Sequence, residues 1–208
     1  MEYLVVMTTH VPDGTSEAAV QDIRAREAAR SRELAAQGHL LRLWRPPLRP
    51  GEWRTLGLFA ADDGAQLEEV LASMPLRVWR TDEVTPLSPH PNDPARQAEL
   101  PGSPAAETSD KAAEFLTTFT LTVPAGTSSQ DVDVTTAREA DRARELAGQG
   151  QLLRLWTLPG QGGVLSLWHA HDTAGMQAIL ASLPLYAWMS VQTTPLTPHP
   201  SDPALANS

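Results

Sequence analysis

Arg26-Glu27-Ala28-Ala29-Arg30-Ser31-Arg32-Glu33-Leu34-Ala35-Ala36-Gln37-Gly38 recurs later in the same chain as Arg138-Glu139-Ala140-Asp141-Arg142-Ala143-Arg144-Glu145-Leu146-Ala147-Gly148-Gln149-Gly150. The agreement is too long for chance. It runs on through Leu40-Leu41-Arg42-Leu43-Trp44 against Leu152-Leu153-Arg154-Leu155-Trp156, and through Met74-Pro75-Leu76 against Leu183-Pro184-Leu185. It closes on Thr85-Pro86-Leu87-Ser88-Pro89-His90-Pro91 against Thr194-Pro195-Leu196-Thr197-Pro198-His199-Pro200. The offset changes between the Trp44 and Met74 matches, so an insertion or deletion falls there, most simply in the Pro-rich stretch Arg45 to Gly51, because loops accept such changes. Two copies are too few for a solenoid, which needs about three repeats to bury a core. The chain therefore reads as a duplicated domain, residues 1–93 and 113–203. Residues 94–112 between the copies are rich in Pro, Ala, Glu, Ser and Gly with almost no large apolar side chain, the composition of a flexible linker.

Outward from the repeat, each copy has the same local grammar. Glu2 to Val11 is rich in β-branched and aromatic residues and stops at Pro12-Asp13-Gly14, which predicts a strand ended by a turn. Ser16 is placed to cap a helix that has Glu17 in its first turn, runs to Gln37 and stops at Gly38. Strands are expected at Leu40–Arg45 and Arg54–Ala60, a second helix at Asp63–Ser73 and a last strand at Arg77–Thr85. The order βαββαβ is ferredoxin-like, and the second copy repeats it. Leu4-Val5-Val6-Met7 and Leu40-Leu41-Arg42-Leu43-Trp44 carry apolar residues on both strand faces, where a sheet with one wet face should alternate. The expected fold class is α+β, two ferredoxin-like domains pairing as a dimeric α+β barrel within one chain, with a further homo-oligomer left open.

Composition removes several functions. The 208 residues are 41% hydrophobic and 20% charged, as in an ordinary globular protein. A net charge of −9 with scattered cations argues against nucleic acid, which is bound through clustered cationic side chains. The chain has no cysteine, which excludes disulfides, thiolate nucleophiles and cysteine-ligated metals. Lys111, in the linker, is the only lysine, so Schiff-base chemistry in either domain is excluded. Tyr3–Met7 lacks a basic flank and a long apolar stretch, so it is not read as a secretory signal. No apolar run approaches the roughly 18 residues of a membrane span, and a cytoplasmic protein is expected.

On the first helix, at about 100° per residue, Val20, Ile23 and Leu34 share one side, and Glu27 falls in the middle of that stripe. A carboxylate facing a dry pocket has its pKa raised toward the range useful for proton transfer. Glu139 repeats the placement beside Val132, Thr135, Ala143 and Leu146. The alternative is a structural ion pair with Arg42 or Arg30. Arg42 and Arg154 each stand two residues before a tryptophan, Trp44 and Trp156. They suit bidentate binding of a carboxylate, or are solvated strand-edge residues, and the tryptophans wall a pocket or are simply core. His90 and His199, in Pro-rich ends, read more readily as surface or strand-end residues than as catalysts. His169 and His171 have no third partner for a metal, and no metal site is expected.

Taken together, Glu27, the Gly38 turn, Leu40-Leu41-Arg42-Leu43-Trp44-Arg45, Met74-Pro75-Leu76 and His90-Pro91 resemble the muconolactone Δ-isomerase family. The second copy resembles it most at Leu183-Pro184-Leu185-Tyr186-Ala187-Trp188-Met189 and His199-Pro200. The resemblance implies one ferredoxin-like domain per copy, a place in aromatic catabolism, a small lactone or carboxylate substrate, and no metal or organic cofactor. It further implies a 1,3-proton shift in which Glu27 and Glu139 carry the proton. Arg42 or Arg45, beside Trp44, would hold the substrate carboxylate or the dienolate oxygen, with Arg154 and Trp156 their counterparts. The sequence departs from the family in its tandem fusion and in Thr157, which stands where the first copy has Arg45. The competing readings are a non-catalytic small-ligand or scaffold protein, and a cofactor-free monooxygenase of the same barrel type.

Overall fold

The computed structural model describes residues 1–98, 113–160 and 162–207. Strand β1 (Glu2–Thr9) alternates half-buried and buried residues along its whole length, the period-two signature of a strand with one face on a core. Helix α1 (Glu17–Ala36) is built largely from Ala, Glu and Arg, all good helix formers. Ser16 Oγ accepts the Ala19 N–H at 3.3 Å at its start, satisfying one of the unpaired first-turn donors. Gly38 ends it with φ +76°, a left-handed backbone that favours glycine, while the His39 N–H returns to the Leu34 carbonyl at 2.9 Å. Within α1, Ile23, Ser31 and Leu34 are buried, and Glu27 lies in the same stripe.

Strands β2 (Leu40–Arg45) and β3 (Arg54–Ala60) and helix α2 (Gly64–Ala72), capped by Asp63, follow at the expected places. The last strand does not begin at Arg77. Pro75–Trp79 form a 3₁₀ turn, and β4 occupies Arg80–Pro89. Pro75 is the reason: its fixed φ suits the first position of a helical turn, not a sheet ladder. The second copy supplies β5 (Ala113–Leu121), α4 (Ser129–Gly148), β6 (Leu152–Thr157), β7 (Gly163–Ala170), α5 (Thr173–Ala181), a 3₁₀ turn at Tyr186–Trp188 and β8 (Met189–Pro198). Between β4 and β5, Pro94–Ala98 form the short helix α3, where the linker reading expected no element. Residues 99–112, with Lys111, lie outside the described residues. The β2–β3 connection, 46–53, is three residues longer than its counterpart 158–162, as the change of offset in the repeat requires.

The compact units do not follow the copy boundaries. The first unit is Met1–Leu87 with Thr197–Ser208, and the second is Ser88–Leu196. In the first, the antiparallel order is β4-β1-β3-β2, with Thr197 and Pro198 paired alongside Arg45 and Trp44. In the second it is β8-β5-β7-β6, with Ser88 and Pro89 alongside Thr157 and Trp156. The first core packs Tyr3, Val5, Met7 and Phe59 of the sheet against Leu34 of α1 and Leu67, Val70 and Leu71 of α2. Leu56 and Leu58, whose side chains leave the opposite sheet face, are also buried. The second core repeats the scheme with Phe115, Phe119 and Trp168 against Leu146, Met176 and Leu180. Among the described residues no helix is long and apolar enough to cross a membrane.

Candidate active site

In the first unit a cavity of about 240 Å³ opens between α1 and the sheet face that carries Met7, Thr9, Leu43 and Thr55. Glu27 reaches it from α1, one turn after Ile23 and one before Ser31. Its Oε2 accepts the Leu76 N–H at 2.8 Å, and Arg80 Nη1 lies 3.2 Å from its Oε1. The 3₁₀ turn after Pro75 is what aims the Leu76 N–H at the carboxylate. Burial pushes the Glu27 carboxyl above its ordinary value; the Leu76 N–H and the Arg80 charge pull it down, and Asp82 adds to the rise. Arg80 is itself held by Asp82, at 2.6 Å, both side chains being only 2% exposed.

Glu27 is therefore paired, and its partner is neither Arg42 nor Arg30. Arg30 bonds Ser73 and Glu33. Two more arginines line the cavity. The Arg24 guanidinium stacks over the Trp53 ring, 4.3 Å from its centroid, and Arg45 comes from the end of β2.

The cavity is completed by His199, Pro200 and Ser201, from the end of the second copy. The His199 N–H donates to the Leu43 carbonyl at 2.9 Å, and the Ser201 N–H donates to His199 Nδ1 at 3.1 Å. With Nδ1 accepting, the neutral ring carries its proton on Nε2. Burial and the nearby Arg45 charge push the His199 pKa down to about 4, against a smaller upward pull from Asp202. The ring is neutral at pH 7.

Arg42 and Trp44 lie outside this cavity. Arg42 Nη2 bonds Asp202 Oδ2 at 3.0 Å, its guanidinium lies 4.8 Å from the Trp44 ring centroid, and Trp44 is 1% exposed. Asp202 Oδ1 also accepts the Leu43 N–H at 3.1 Å. Arg42 thus fastens the segment that brings His199, and Trp44 is core. Arg154 and Trp156 repeat this with Asp93: 3.2 Å for the ion pair, 3.0 Å from the Leu155 N–H to Asp93, and 4.7 Å for the ring contact.

The second unit holds its own cavity, of about 210 Å³. Glu139 enters it from α4 with Oε2 accepting the Leu185 N–H at 2.9 Å, and burial again raises its carboxyl above the ordinary value. His90 lines it, with Nδ1 accepting the Asn92 N–H at 3.1 Å, and burial lowers its pKa. The arginines have gone. The repeat places Thr136 at the Arg24 position, Thr157 at Arg45 and Met189 at Arg80. His169 lies 3.5 Å from Glu114, His171 is exposed beside Asp172, and among the described residues no three His, Asp or Glu gather to hold a metal.

The model of the muconolactone delta-isomerase family matches residues 1–93 and again 113–202. This chain belongs to that family. A muconolactone delta-isomerase of Acinetobacter lwoffii is 33% identical over 92 residues, 44% of this chain and 93% of that protein. One from Cupriavidus pinatubonensis is 33% identical over 92 residues, 44% of this chain and 97% of that protein. Each of these two relatives thus corresponds to a single copy, and this chain carries two. Among solved structures, a heme-binding protein of Thermus thermophilus matches with a TM-score of 0.58 at 11% identity, over 100% of this chain and 95% of that one. A chlorite dismutase of Candidatus Nitrospira defluvii matches at 0.54 and 10% identity, over 95% and 91%. At such identities the likeness is one of fold: two ferredoxin-like domains of the dimeric α+β barrel class.

Of the residues singled out in the sequence, Glu27 and Arg45 line the first cavity and Glu139 the second, while Arg80, Arg24, Trp53 and the placement of both histidines were not anticipated. Two signals were available. Arg80 stands against Met189 directly after the shared Trp79 and Trp188, and the His-Pro pair recurs in both copies with an aspartate three residues after the histidine.

Proposed function

We propose that the first unit is an isomerase site that moves a C=C bond in muconolactone, or a close anionic lactone, by a 1,3-proton shift within the substrate. The observation that carries this reading is a half-buried carboxylate, Glu27, in one small cavity with Arg24, Arg45 and Arg80. A carboxylate of raised pKa is a better proton acceptor and donor near neutral pH than an exposed one. Glu27 takes the proton from the lactone C4, and the C–H electron pair spreads into the ring as a dienolate with its charge on the carbonyl oxygen. Glu27 then returns the proton to C2, leaving the double bond between C3 and C4. Atoms and charge balance without a co-reactant.

Arg45 and Arg24 face the same cavity as Glu27 and bind the substrate carboxylate. The neutral His199 presents Nε2–H as a donor to the dienolate oxygen, a role that an imidazole held neutral by its surroundings performs without giving up its proton. Arg80 supports Glu27 and lowers the cost of its charge. The specific feature favouring a non-catalytic reading is that same ion pair, since structural pairs also perturb a carboxyl.

Proton NMR of muconolactone in deuterated buffer decides between them. Conversion to the enol-lactone is expected for the wild-type protein, and Glu27→Gln should lower it by about 10²–10⁴-fold. Undiminished turnover in Glu27→Gln would refute the assignment.

A further inference from the structure

The second cavity has kept one half of the first cavity's chemistry and lost the other. Kept are the helix glutamate on a turn N–H, Glu139 on Leu185, and a histidine whose Nδ1 is occupied by a backbone N–H, His90 on Asn92. Lost is every cation among the lining residues: Thr136, Thr157 and Met189 stand at the positions of Arg24, Arg45 and Arg80. Three further polar positions have turned apolar in the same direction, while Asn92 keeps a polar residue at the Ser201 position. Leu121 replaces Thr9, Val164 replaces Thr55, Ala143 replaces Ser31, and Gly162 stands where Trp53 stacks on Arg24.

An anionic ligand entering this cavity would find no counter-charge and would face the Glu139 carboxylate across apolar walls, where a like charge is poorly screened. An uncharged ring meets aromatic and aliphatic surface with four polar side chains, His90, Asn92, Thr136 and Glu139, among the lining residues, the composition of a small-molecule pocket.

We propose that the second unit holds a binding site for an uncharged, largely apolar molecule of lactone size, seated on Phe119, Trp168 and Met189 with its polar edge toward Glu139 and His90. The two copies then divide ligands by charge: the first takes the anion, the second the neutral ring. The proposal rests on the divergence of the two linings, and borrows from the function proposed above the size of the ring and the anion of the first site.

The test uses two tryptophans as reporters in the intact chain. Trp53 lines the first cavity and Trp168 the second, where its indole N–H is fixed by hydrogen bonds to Ser166 and Thr117. Their assigned indole ¹H–¹⁵N signals are followed while the chain is titrated with α-angelica lactone, an uncharged methyl-substituted unsaturated γ-lactone, and separately with muconolactone. The expected result is a saturable shift of Trp168 with α-angelica lactone at a concentration about tenfold or more below that needed with muconolactone. Met189→Arg, which restores a cation, should narrow or reverse that preference. A silent Trp168, an equal response to the anion, or a preference untouched by Met189→Arg would each overturn the proposal. The response of Trp53 to muconolactone reports on the first site separately, so the two readings fail independently.

Discussion

The residues of the first site carry pH signatures of opposite sign. For Glu27 the folded state favours the protonated carboxyl, so its contribution to stability is present below the ordinary value near 4.5 and is lost as the pH rises through the raised value. Glu27→Gln mimics the protonated form, and its Tm relative to wild type should climb across that range; a constant difference from pH 4 to 8 would contradict the raised pKa. For His199 the folded state favours the neutral ring. Its contribution is present above about 6.5 and is lost as the pH falls toward about 4, so His199→Gln should flatten the fall of Tm in that window. Thermal scans at half-unit pH steps read both effects. Arg45→Met should raise the KM for muconolactone by about tenfold to a hundredfold, the loss of one charge-assisted hydrogen bond, with kcat changed less; an unchanged KM would remove Arg45 from the site. Glu27 was legible in the sequence because helical periodicity shows an acid in an apolar stripe. Arg80 was not, because Arg77–Thr85 looked like one strand, and only the 3₁₀ turn after Pro75 brings Leu76 and Arg80 to Glu27.

At the scale of elements, the segment that matters most is the short one after β8. Asp202, whose side chain is fully buried, ties it to Arg42 and to the Leu43 N–H, and His199 is carried between those anchors and the strand. Removing one partner of a buried pair leaves the other uncompensated and costs about 3–5 kcal/mol when both are fully buried; with Arg42 partly exposed, Asp202→Ala should cost less than that. Activity should fall further than stability, because His199 leaves its place although Asp202 does not line the cavity. Faster amide exchange confined to Thr197–Asn207 and neighbouring β2, together with lost turnover, is the expected pattern; full activity with fast exchange there would show that His199 is dispensable. The main helices and β2 and β3 were legible at this scale because capping, periodicity and glycine stops are local signals. The docking of these ends was not. Their partners lie about 160 and 60 residues away in the chain, and no local pattern encodes such a distance.

At the scale of the whole molecule, duplication has produced two cavities whose histidines come from the ends of β8 and β4, so a unit's site is not contained in one copy of the repeat. Ending the chain at Leu196 should therefore abolish isomerase activity while leaving Glu27 and all three first-site arginines present. Retained activity would place the catalytic set within 1–87. The repeat itself was the strongest signal in the sequence, and it gave the number of domains and the βαββαβ order directly. It also concealed the divergence, since Arg24 against Thr136 and Arg80 against Met189 are unremarkable differences until both are placed on cavity walls. The central claim is that the first site does the chemistry and the second does not act on the same anion. Proton NMR of muconolactone in deuterated buffer, run with wild type, Glu27→Gln and Glu139→Gln, tests it most directly. Conversion by wild type and Glu139→Gln but not by Glu27→Gln is the predicted result; conversion lost only in Glu139→Gln would contradict it.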